Sequence, residues 1–457
     1  MGWIRKTIRE NRINKKKIPH ISITLAKKQL TRLSAELNLN KPWITISLRK
    51  KISRIDLNSI KGAQKVLAKS SIRKIDLIRS NTFSNMCGNN IFLKLECYQK
   101  TGSFKVRGAV TMIDRLDSDS KHGGVIAASA GNHAQGVAYA SAMNKMSCTI
   151  VMPKNASPAK IAATRSYGAN VILEGNNYDE SSVYAEEIAT KEGRTIVPAF
   201  DNPDVIAGQG TVGLEILEDL KNIDEIYVPV GGGGLIAGVS LAIKTINPKV
   251  SIIGVESTAF PSMKKAIKKG KISKVQEGYT IADGISVKSP GKLPYEIIKD
   301  KVDDIVLVDD LSIVKTMFLL MERSKIVTEP AGAASLAYLL LNKKSIPKNK
   351  NIVSILSGGN VDMYLLGQVV AKGLMQTGRL IKLFIELKDR PGALRNIVND
   401  IAQANVNIVE VVHDRLSSNI SAGTAGVYLS LELENREQSN VLIELFSKQK
   451  IKYKIIR

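Results

Sequence analysis

The stretch EIYVPVGGGGLIAG (225–238) joins an apolar, β-branched run to four consecutive glycines and then to a helical pattern. Residues 225–230 are predicted to form a buried strand, and residues 235–246 a helix. Four glycines are more than a turn requires, and they leave backbone N–H groups free to surround a phosphate at the helix start. The stretch therefore predicts a β–loop–α unit with an anion site formed by Gly231, Gly232, Gly233 and Gly234.

The same alternation of strand and helix extends over residues 52–375. The runs are rich in β-branched residues and are mostly followed by Gly, Ser or Asn and then a helical segment, a pattern typical of a mainly parallel sheet. Besides residues 225–230, strands are predicted at 91–96, 124–129, 147–152, 169–174, 250–256 and 351–357. Residues 52–375 are therefore expected to form a domain of the α/β class.

The pattern changes after a predicted linker at residues 372–380. One β-α-β-β-α-β unit follows, which predicts a small α+β, ferredoxin-like domain over residues 380–457. Its strands are predicted at 380–387, 407–415, 426–434 and 451–456, and its helices at 391–404 and 436–448.

The positive charge is concentrated at the N-terminus. The chain carries +24, and residues 1–54 contribute +13 of it through 15 Lys/Arg and two acids. Residues 1–51 are therefore predicted to be a basic, disordered extension. A targeting segment and loose binding to polyanions are the alternatives, and no specific nucleic-acid partner is expected.

Several protein classes are excluded by composition. Cys87, Cys97 and Cys148 form no C-x-x-C pair and the four histidines are widely separated, so neither a disulfide framework nor a zinc site is predicted. The longest uncharged stretch, residues 226–243, contains Pro229 and the glycine run, which would interrupt a membrane-spanning helix. We expect a cytoplasmic protein without a membrane partner.

Two segments at predicted helix starts carry candidate site residues. Lys105 lies in GSFKVRGA (102–109) among small residues; a lysine there is partly desolvated, which makes its amine nucleophilic, although a single lysine is usually a surface charge. SAGNHAQG (129–136) offers free N–H groups for a carboxylate, although it could be a simple capped turn. His133 within it is expected to be structural.

A nucleotide-binding alternative rests on the glycine run alone. Gly232-x-Gly234-x-x-Ala237 matches a dinucleotide-binding pattern, and Glu256 follows at the end of the next predicted strand. An NAD-dependent oxidoreductase would account for these residues. It leaves the segment around Lys105 and the strand end SGGN (357–360) without a role.

Taken together, the segments resemble the threonine dehydratase group of pyridoxal-phosphate enzymes, whose two-domain fold is that of the tryptophan synthase β subunit. The resemblance covers residues 52–375 and departs from the group at Lys74–Leu77, where members often carry Arg-Thr-Pro-Leu. It is carried by KLECYQKTGSFKVRGA (94–109), SAGNHAQG (129–136), FDNPDVIAGQGTVGLEI (200–216), GGGGLIAG (231–238), EPAGAA (329–334) and SILSGGN (354–360).

The resemblance implies a cofactor, pyridoxal 5'-phosphate, and roles for individual residues. Lys105 would be the catalytic, Schiff-base lysine, and Phe104 would lie against the cofactor ring. Asn132 would bind the ring hydroxyl, Ser357 would face the pyridine nitrogen, and the glycine run would hold the phosphate. The substrate carboxylate would be held by the backbone of Ser129, Ala130, Gly131, Asn132 and His133.

The implied activity is elimination of water from threonine, and more weakly from serine. A serine hydroxyl stabilises a protonated ring nitrogen less well than aspartate does, which favours loss of the β-hydroxyl over transamination. A serine racemase or serine dehydratase on the same scaffold is the near alternative. Some relatives bind a divalent ion through an acid that follows the strand ending in Gly254-Val255-Glu256. Glu256 is one candidate ligand, but Ser257, Thr258, Phe260 and Ser262 nearby offer no second carboxylate, so no metal site is predicted.

Residues 380–457 resemble an ACT domain, an amino-acid-sensing unit of metabolic enzymes. The resemblance lies in DRPGAL (389–394), where Asp389, Pro391, Gly392 and Leu394 are candidate regulatory residues. It implies an amino-acid effector and self-association into a dimer or tetramer. A dimerisation role without a ligand is the alternative.

Overall fold

The computed structural model describes residues 55–276, 278–418 and 420–456. The predicted basic extension, residues 1–51, lies outside the described residues. Within them, no helix has both the length and the apolar character needed to cross a membrane.

The helices of the described ranges alternate with strands up to residue 377. They are α1 Leu57–Ala68, α2 Asn81–Cys87, α3 Lys105–Asp114, α4 Ser118–Gly123, α5 Asn132–Met143, α6 Pro158–Ser166, α7 Tyr178–Glu192, α8 Pro203–Asp219, α9 Gly234–Ile246, α10 Ser262–Lys269, α11 Lys292–Lys301, α12 Asp310–Leu319, α13 Pro330–Leu341, α14 Met363–Thr377, α15 Ala393–Gln403 and α16 Arg436–Lys448.

The strands confirm the predicted ones, with ends that differ by no more than two residues. Three strands, β1, β6 and β9, were not predicted. The strands are β1 Leu77–Arg79, β2 Asn90–Lys94, β3 Val125–Ala128, β4 Cys148–Met152, β5 Asn170–Leu173, β6 Thr195–Ile196, β7 Glu225–Pro229, β8 Ser251–Ser257, β9 Asp304–Val308, β10 Asn351–Ile355, β11 Leu380–Lys388, β12 Asn407–Asp414, β13 Thr424–Glu432 and β14 Tyr453–Ile456.

Two sheets build the larger, α/β part of the chain. One has six strands in the order β1-β2-β10-β7-β8-β9, parallel except for β1, and the other has four parallel strands in the order β5-β4-β3-β6. In such sheets ligands bind at the carboxyl ends of the strands. The candidate segments 129–136, 231–238 and 357–360 directly follow β3, β7 and β10.

Helix α8 packs closely against two helices: α3, whose buried residues join the core of the four-stranded sheet, and α9, whose buried residues join the core of the six-stranded sheet. A Cβ at Gly208 would overlap the carbonyl oxygen of Arg107 in α3, and a Cβ at Gly238 in α9 would overlap that of Ile206. These glycines allow the backbones to approach one another. The packing sets Lys105, at the start of α3, in position relative to the glycine loop before α9.

The C-terminal sheet is antiparallel, with the strand order β12-β13-β11-β14. Its apolar core includes Leu383, Ile401, Leu429 and Phe446, contributed by strands and by both helices. The predicted ferredoxin-like topology is therefore confirmed.

The predicted linker is wrong over most of its length. Helix α14 continues to Thr377, so residues 372–377 are helical, and Gly378 ends the helix with a φ of 76°. Gly373 is a packing position, because a Cβ there would overlap the ring of Phe318. An ion pair between Arg379 and Glu322 then joins the start of β11 to the α/β part.

Candidate active site

Lys105 is half-buried at the first residue of α3. Its Nζ donates a hydrogen bond to the backbone oxygen of Ala199 at 2.9 Å and lies 5.4 Å from the centroid of the Phe104 ring. Burial lowers the pKa of Lys105 to about 8, although the carboxylate of Glu329 opposes this shift. A larger fraction of the amine is therefore uncharged and nucleophilic near neutral pH than for an ordinary lysine.

The glycine loop forms an uncapped helix start. Gly233 has a φ of 93°, which favours glycine, and α9 begins at Gly234 without a side chain that caps its N–H groups. The ring of Phe200 packs so closely that a Cβ at Gly232 would overlap it. Gly291 donates a backbone hydrogen bond to the oxygen of Gly232 at 3.1 Å, which fixes the loop.

Several of the buried polar side chains that lack a hydrogen-bond partner among the described residues lie in or beside the segments of this site. Both amide atoms of Gln209 lack a hydrogen-bond partner among the described residues, and its Oε1 would lie 2.7 Å from a Cβ at Gly234. The hydroxyls of Thr101, Ser103 and Thr328 are also buried without a partner there. Because buried polar groups are normally satisfied, this region fits a polar ligand.

Residues 129–133 form the turn between β3 and α5. Gly131 precedes the helix without a side-chain cap, and a Cβ at Gly131 would meet nothing within 4 Å, so open space adjoins this turn. Ser129 Oγ accepts from the N–H of Gly131 at 3.2 Å. Ala130 packs partly against the core of the four-stranded sheet. The helix start has N–H groups available for a carboxylate.

His133 lies in the core rather than in the open part of this turn. It is 3% exposed, and its Nε2 pairs with the oxygen of Val197 at 2.8 Å, which makes Nε2 the donor. Burial, with the nearby charge of Lys105, lowers the pKa of His133 to about 3. The neutral ring therefore supports the turn, and only its backbone is a candidate for substrate contact.

Ser357 joins the segment that carries Lys105. It is buried, and its carbonyl oxygen accepts from the N–H of Phe104 at 3.2 Å. Ser103 and Gly358 form an isolated antiparallel bridge beside it. The end of β10 and the start of α3 are thereby held together.

Sequence reasoning missed Glu329, which the structure brings into this site. It precedes Pro330 at the start of α13, is 5% exposed, and accepts from Asn132 Nδ2 at 2.6 Å. Burial, with repulsion from Asp283, raises the pKa of Glu329 to about 7. The signal was available in EPAGAA (329–334), which carried the family resemblance but was assigned no role.

Glu256 was considered as the acidic residue of a dinucleotide-binding pattern and as a metal ligand, but in the structure its carboxylate caps a helix. It is fully buried, and its two oxygens accept from the N–H groups of Met263 and Lys264 at 2.7 and 2.9 Å, at the start of α10. Burial raises its pKa to about 7. A fully buried carboxylate bound in this way offers no open face to a ribose, so the nucleotide alternative loses its acidic partner.

The candidate regulatory residues lie at the turn between β11 and α15. Gly392 precedes α15 with a φ of 85° and without a side-chain cap, and Pro391 lies before it. Asp389 forms an ion pair with Arg415 at 3.0 Å, and Leu394 packs against the domain core. The turn leaves N–H groups available at the helix start.

Known proteins are similar to this chain over most of its length. Residues 69–358 match the family of pyridoxal-phosphate dependent enzymes. An L-threonine ammonia-lyase of Thermotoga maritima is 45% identical over 380 residues, or 83% of this chain and 94% of the relative. The processed form of threonine deaminase isoform 2 from Solanum lycopersicum has a TM-score of 0.66 and 36% identity, over 69% of this chain and 94% of that structure. Maize serine racemase has a TM-score of 0.66 and 35% identity, over 70% of this chain and 98% of that structure.

The chain therefore belongs to the pyridoxal-phosphate-dependent enzyme family, and its cofactor is pyridoxal 5'-phosphate. Within that family its sequence is similar to L-threonine ammonia-lyase, and its fold to threonine deaminase and serine racemase. The NAD-dependent alternative is not supported. The cofactor fits the site on the structure's own terms, because an uncapped helix start, unpartnered buried polar atoms and a nucleophilic lysine lie together.

Proposed function

We propose that this protein is a threonine ammonia-lyase that converts L-threonine into 2-oxobutanoate and ammonia. The observation that carries the proposal is Lys105, a half-buried lysine with a lowered pKa. It lies beside the end of β10, to which Phe104 is hydrogen-bonded, and close enough to His133 of the 129–133 turn for its charge to act there. The similarity to the Thermotoga relative supports the choice of substrate.

Different residues of the site would bind the cofactor, bind the substrate carboxylate and transfer the α-proton. Lys105 would hold the cofactor covalently and then move the α-proton of the substrate through Nζ. The N–H groups around Gly231–Gly234 would hold the phosphate, and Asn132 would donate to the ring oxygen. The backbone of residues 129–133 would orient the substrate carboxylate. When bound, pyridoxal phosphate withdraws electrons from the α-carbon.

Ser357 would direct the outcome toward elimination. A hydroxyl facing the ring nitrogen cannot hold a full positive charge there as a carboxylate can, so electron withdrawal is weaker. Lys105 would take up the α-proton and return it to the departing β-hydroxyl, which would then leave as water. The resulting enamine is hydrolysed to the 2-oxo acid and ammonia.

The test of the function is product analysis with two substrates. Purified holoenzyme is incubated with L-threonine and L-serine, and 2-oxobutanoate, pyruvate, ammonia and D-serine are quantified. We expect kcat/KM for threonine to exceed that for serine. Dominant formation of D-serine would instead favour the racemase function suggested by the similarity to maize serine racemase.

The lowered pKa of Lys105 predicts how cofactor uptake depends on pH. Only the uncharged amine attacks the cofactor aldehyde, and this form dominates above the pKa, which burial lowers to about 8. In stopped-flow absorbance, uptake by the apoenzyme should accelerate up to about pH 8 and then level off. A rate that keeps rising toward the ordinary lysine value of 10.5 would contradict this environment.

The ferredoxin-like domain is proposed to be an ACT domain that senses a small aliphatic amino acid, with isoleucine or valine the first to test. Its edge strand β12 exposes Val409, Val411 and Val412. An open edge of this kind is commonly covered by a second copy, so we propose a dimer or tetramer. An effector would favour one arrangement of the paired domains, and β11 would transmit it through the Arg379–Glu322 ion pair.

Regulation is tested by threonine saturation curves with and without each of the twenty amino acids. We expect one aliphatic amino acid to change the apparent threonine affinity by roughly 5- to 150-fold. A chain ended after Thr377 and the Gly392→Asp variant should remain active and ignore the effector. If no amino acid moves the full-length curve, the domain serves only association.

The cytoplasm is the proposed location. Cys87, Cys97 and Cys148 are buried, unpaired thiols, which suits a reducing compartment.

A further inference from the structure

Four residues from separate segments form one hydrogen-bonded chain next to Lys105. Asn360 Nδ2 donates to the carbonyl oxygen of Thr101 and to Asn132 Oδ1, both at 2.7 Å. Asn132 Nδ2 then donates to Glu329 Oε1 at 2.6 Å. We refer to Thr101, Asn360, Asn132 and Glu329 as the amide relay.

The direction of the amide relay is fixed at its backbone end. The carbonyl of Thr101 can only accept, so it requires the NH₂ group of Asn360 on its side. The second hydrogen of that NH₂ group points to Asn132, which must present its oxygen. The NH₂ group of Asn132 is then forced toward Glu329, and an amide flip would place two donors or two acceptors face to face.

Two glycines, Gly102 and Gly358, lie directly against the side chains of the amide relay. A Cβ at Gly102 would overlap Asn360 Oδ1, and a Cβ at Gly358 would overlap Glu329 Oε1. The side chains of Asn360 and Glu329 therefore occupy space that only glycine leaves open. The segments that carry Thr101, Asn132, Glu329 and Asn360 are locked together at this point.

We propose that Glu329 and Asn360 are positioning residues that hold the Asn132 amide with its NH₂ group directed to the cofactor. This proposal rests on the proposed role of Asn132 toward the ring oxygen. One hydrogen of Asn132 Nδ2 is bound by Glu329, and the second remains for the cofactor. Without the relay, the amide could turn its oxygen toward the ring oxygen, and two acceptors would repel.

Glu329 can serve in either protonation state. Burial and the nearby charge of Asp283 raise its pKa to about 7, while the hydrogen bond from Asn132 and the charges of Lys160 and Lys105 lower it. An ionised or a neutral carboxyl group still offers an oxygen to Asn132. A glutamine at position 329 can offer the same oxygen, whereas an alanine cannot.

Asn360→Asp is the variant that reverses the relay. An aspartate cannot donate to Thr101 or to Asn132 Oδ1, so Asn132 should turn its NH₂ group toward position 360. We expect the affinity for pyridoxal phosphate, measured by equilibrium dialysis, to fall about tenfold, because a buried acceptor is left unpaired. The visible absorption band of the bound cofactor should shift as well.

Asn351→Asp is the matched control at the opposite end of β10. Asn351 also donates to a backbone carbonyl, that of Asn222 at 2.8 Å, and accepts from Asn90 at 2.9 Å. A merely structural effect of replacing an asparagine would appear in both variants. We expect Asn351→Asp to leave the cofactor affinity and the band unchanged.

Glu329 gives a second, independent test if Asn360→Asp does not fold. Glu329→Gln should retain the cofactor affinity and the band, whereas Glu329→Ala should change both. Equal affinity and an identical band in Asn360→Asp, Glu329→Ala and the unmodified enzyme would overturn the relay and leave the proposed function intact. An unmodified enzyme that binds no pyridoxal phosphate would instead overturn the proposed function.

Discussion

Lys105→Ala is expected to form 2-oxobutanoate from threonine several orders of magnitude more slowly than the unmodified enzyme. The variant loses both the covalent attachment of the cofactor and the group that moves the α-proton. Among the described residues, Lys105 is the lysine whose Nζ donates to the oxygen of Ala199. The measurement is steady-state 2-oxobutanoate formation by purified proteins that are saturated with cofactor.

Lys100→Ala is a matched control five residues earlier in the same segment. Lys100 lies in a short turn, Lys100–Gly102, and only its backbone N–H has a recorded bond there, to Gln99 Oε1 at 2.8 Å. Its removal should leave turnover close to that of the unmodified enzyme. Turnover by Lys105→Ala at the unmodified rate would refute the assignment of Lys105.

Arg107→Met is expected to give the largest loss of stability, about 3–5 kcal/mol of the free energy of unfolding. Arg107 is 1% exposed and binds Glu96 at 2.8 Å and Glu215 at 2.6 Å. Lys94, which is fully buried, binds Glu215 at 2.7 Å, so two cations balance two carboxylates. Removal of the guanidinium leaves Glu96 buried without a cation.

Urea unfolding followed by fluorescence measures this loss. Lys154→Met is the control, because Lys154 pairs with Glu174 at 2.8 Å on the exposed surface, where an ion pair contributes little. We expect its midpoint to stay unchanged. If Arg107→Met unfolds at the same urea concentration as the unmodified protein, the buried network is not a source of stability.

Most strands of the sheets could be predicted because a buried β-branched run is a local signal, although β9 was missed. β7 and β10 are β-branched runs ended by glycine or serine, and the structure confirms them. β6 has only two residues and gave no such signal. Residues 372–377 were interpreted as part of a linker, but they are helical. Gly373 packs there against Phe318, which lies 55 residues earlier in the sequence and leaves no local signal.

Site residues could be predicted from the sequence where a single motif indicates their chemistry. They could not be predicted where their hydrogen-bond partners are distant in the sequence. Lys105 and the glycine loop stand in segments that are unusual by themselves. Asn132 and Glu329 are 197 residues apart, and Asn360 and Thr101 are 259 apart. No local pattern joins such pairs, and only the meeting of the strand ends brings them together.

Reduction of the holoenzyme with borohydride, followed by peptide mapping in a mass spectrometer, tests the central claim most directly. The reagent makes the link between the cofactor and its lysine permanent, so the adduct marks the lysine that holds the cofactor. We expect the adduct on Lys105, in the peptide that contains Gly102–Phe104. An adduct on a different lysine, or an unmodified Lys105 in a reduced and fully active preparation, would contradict the account.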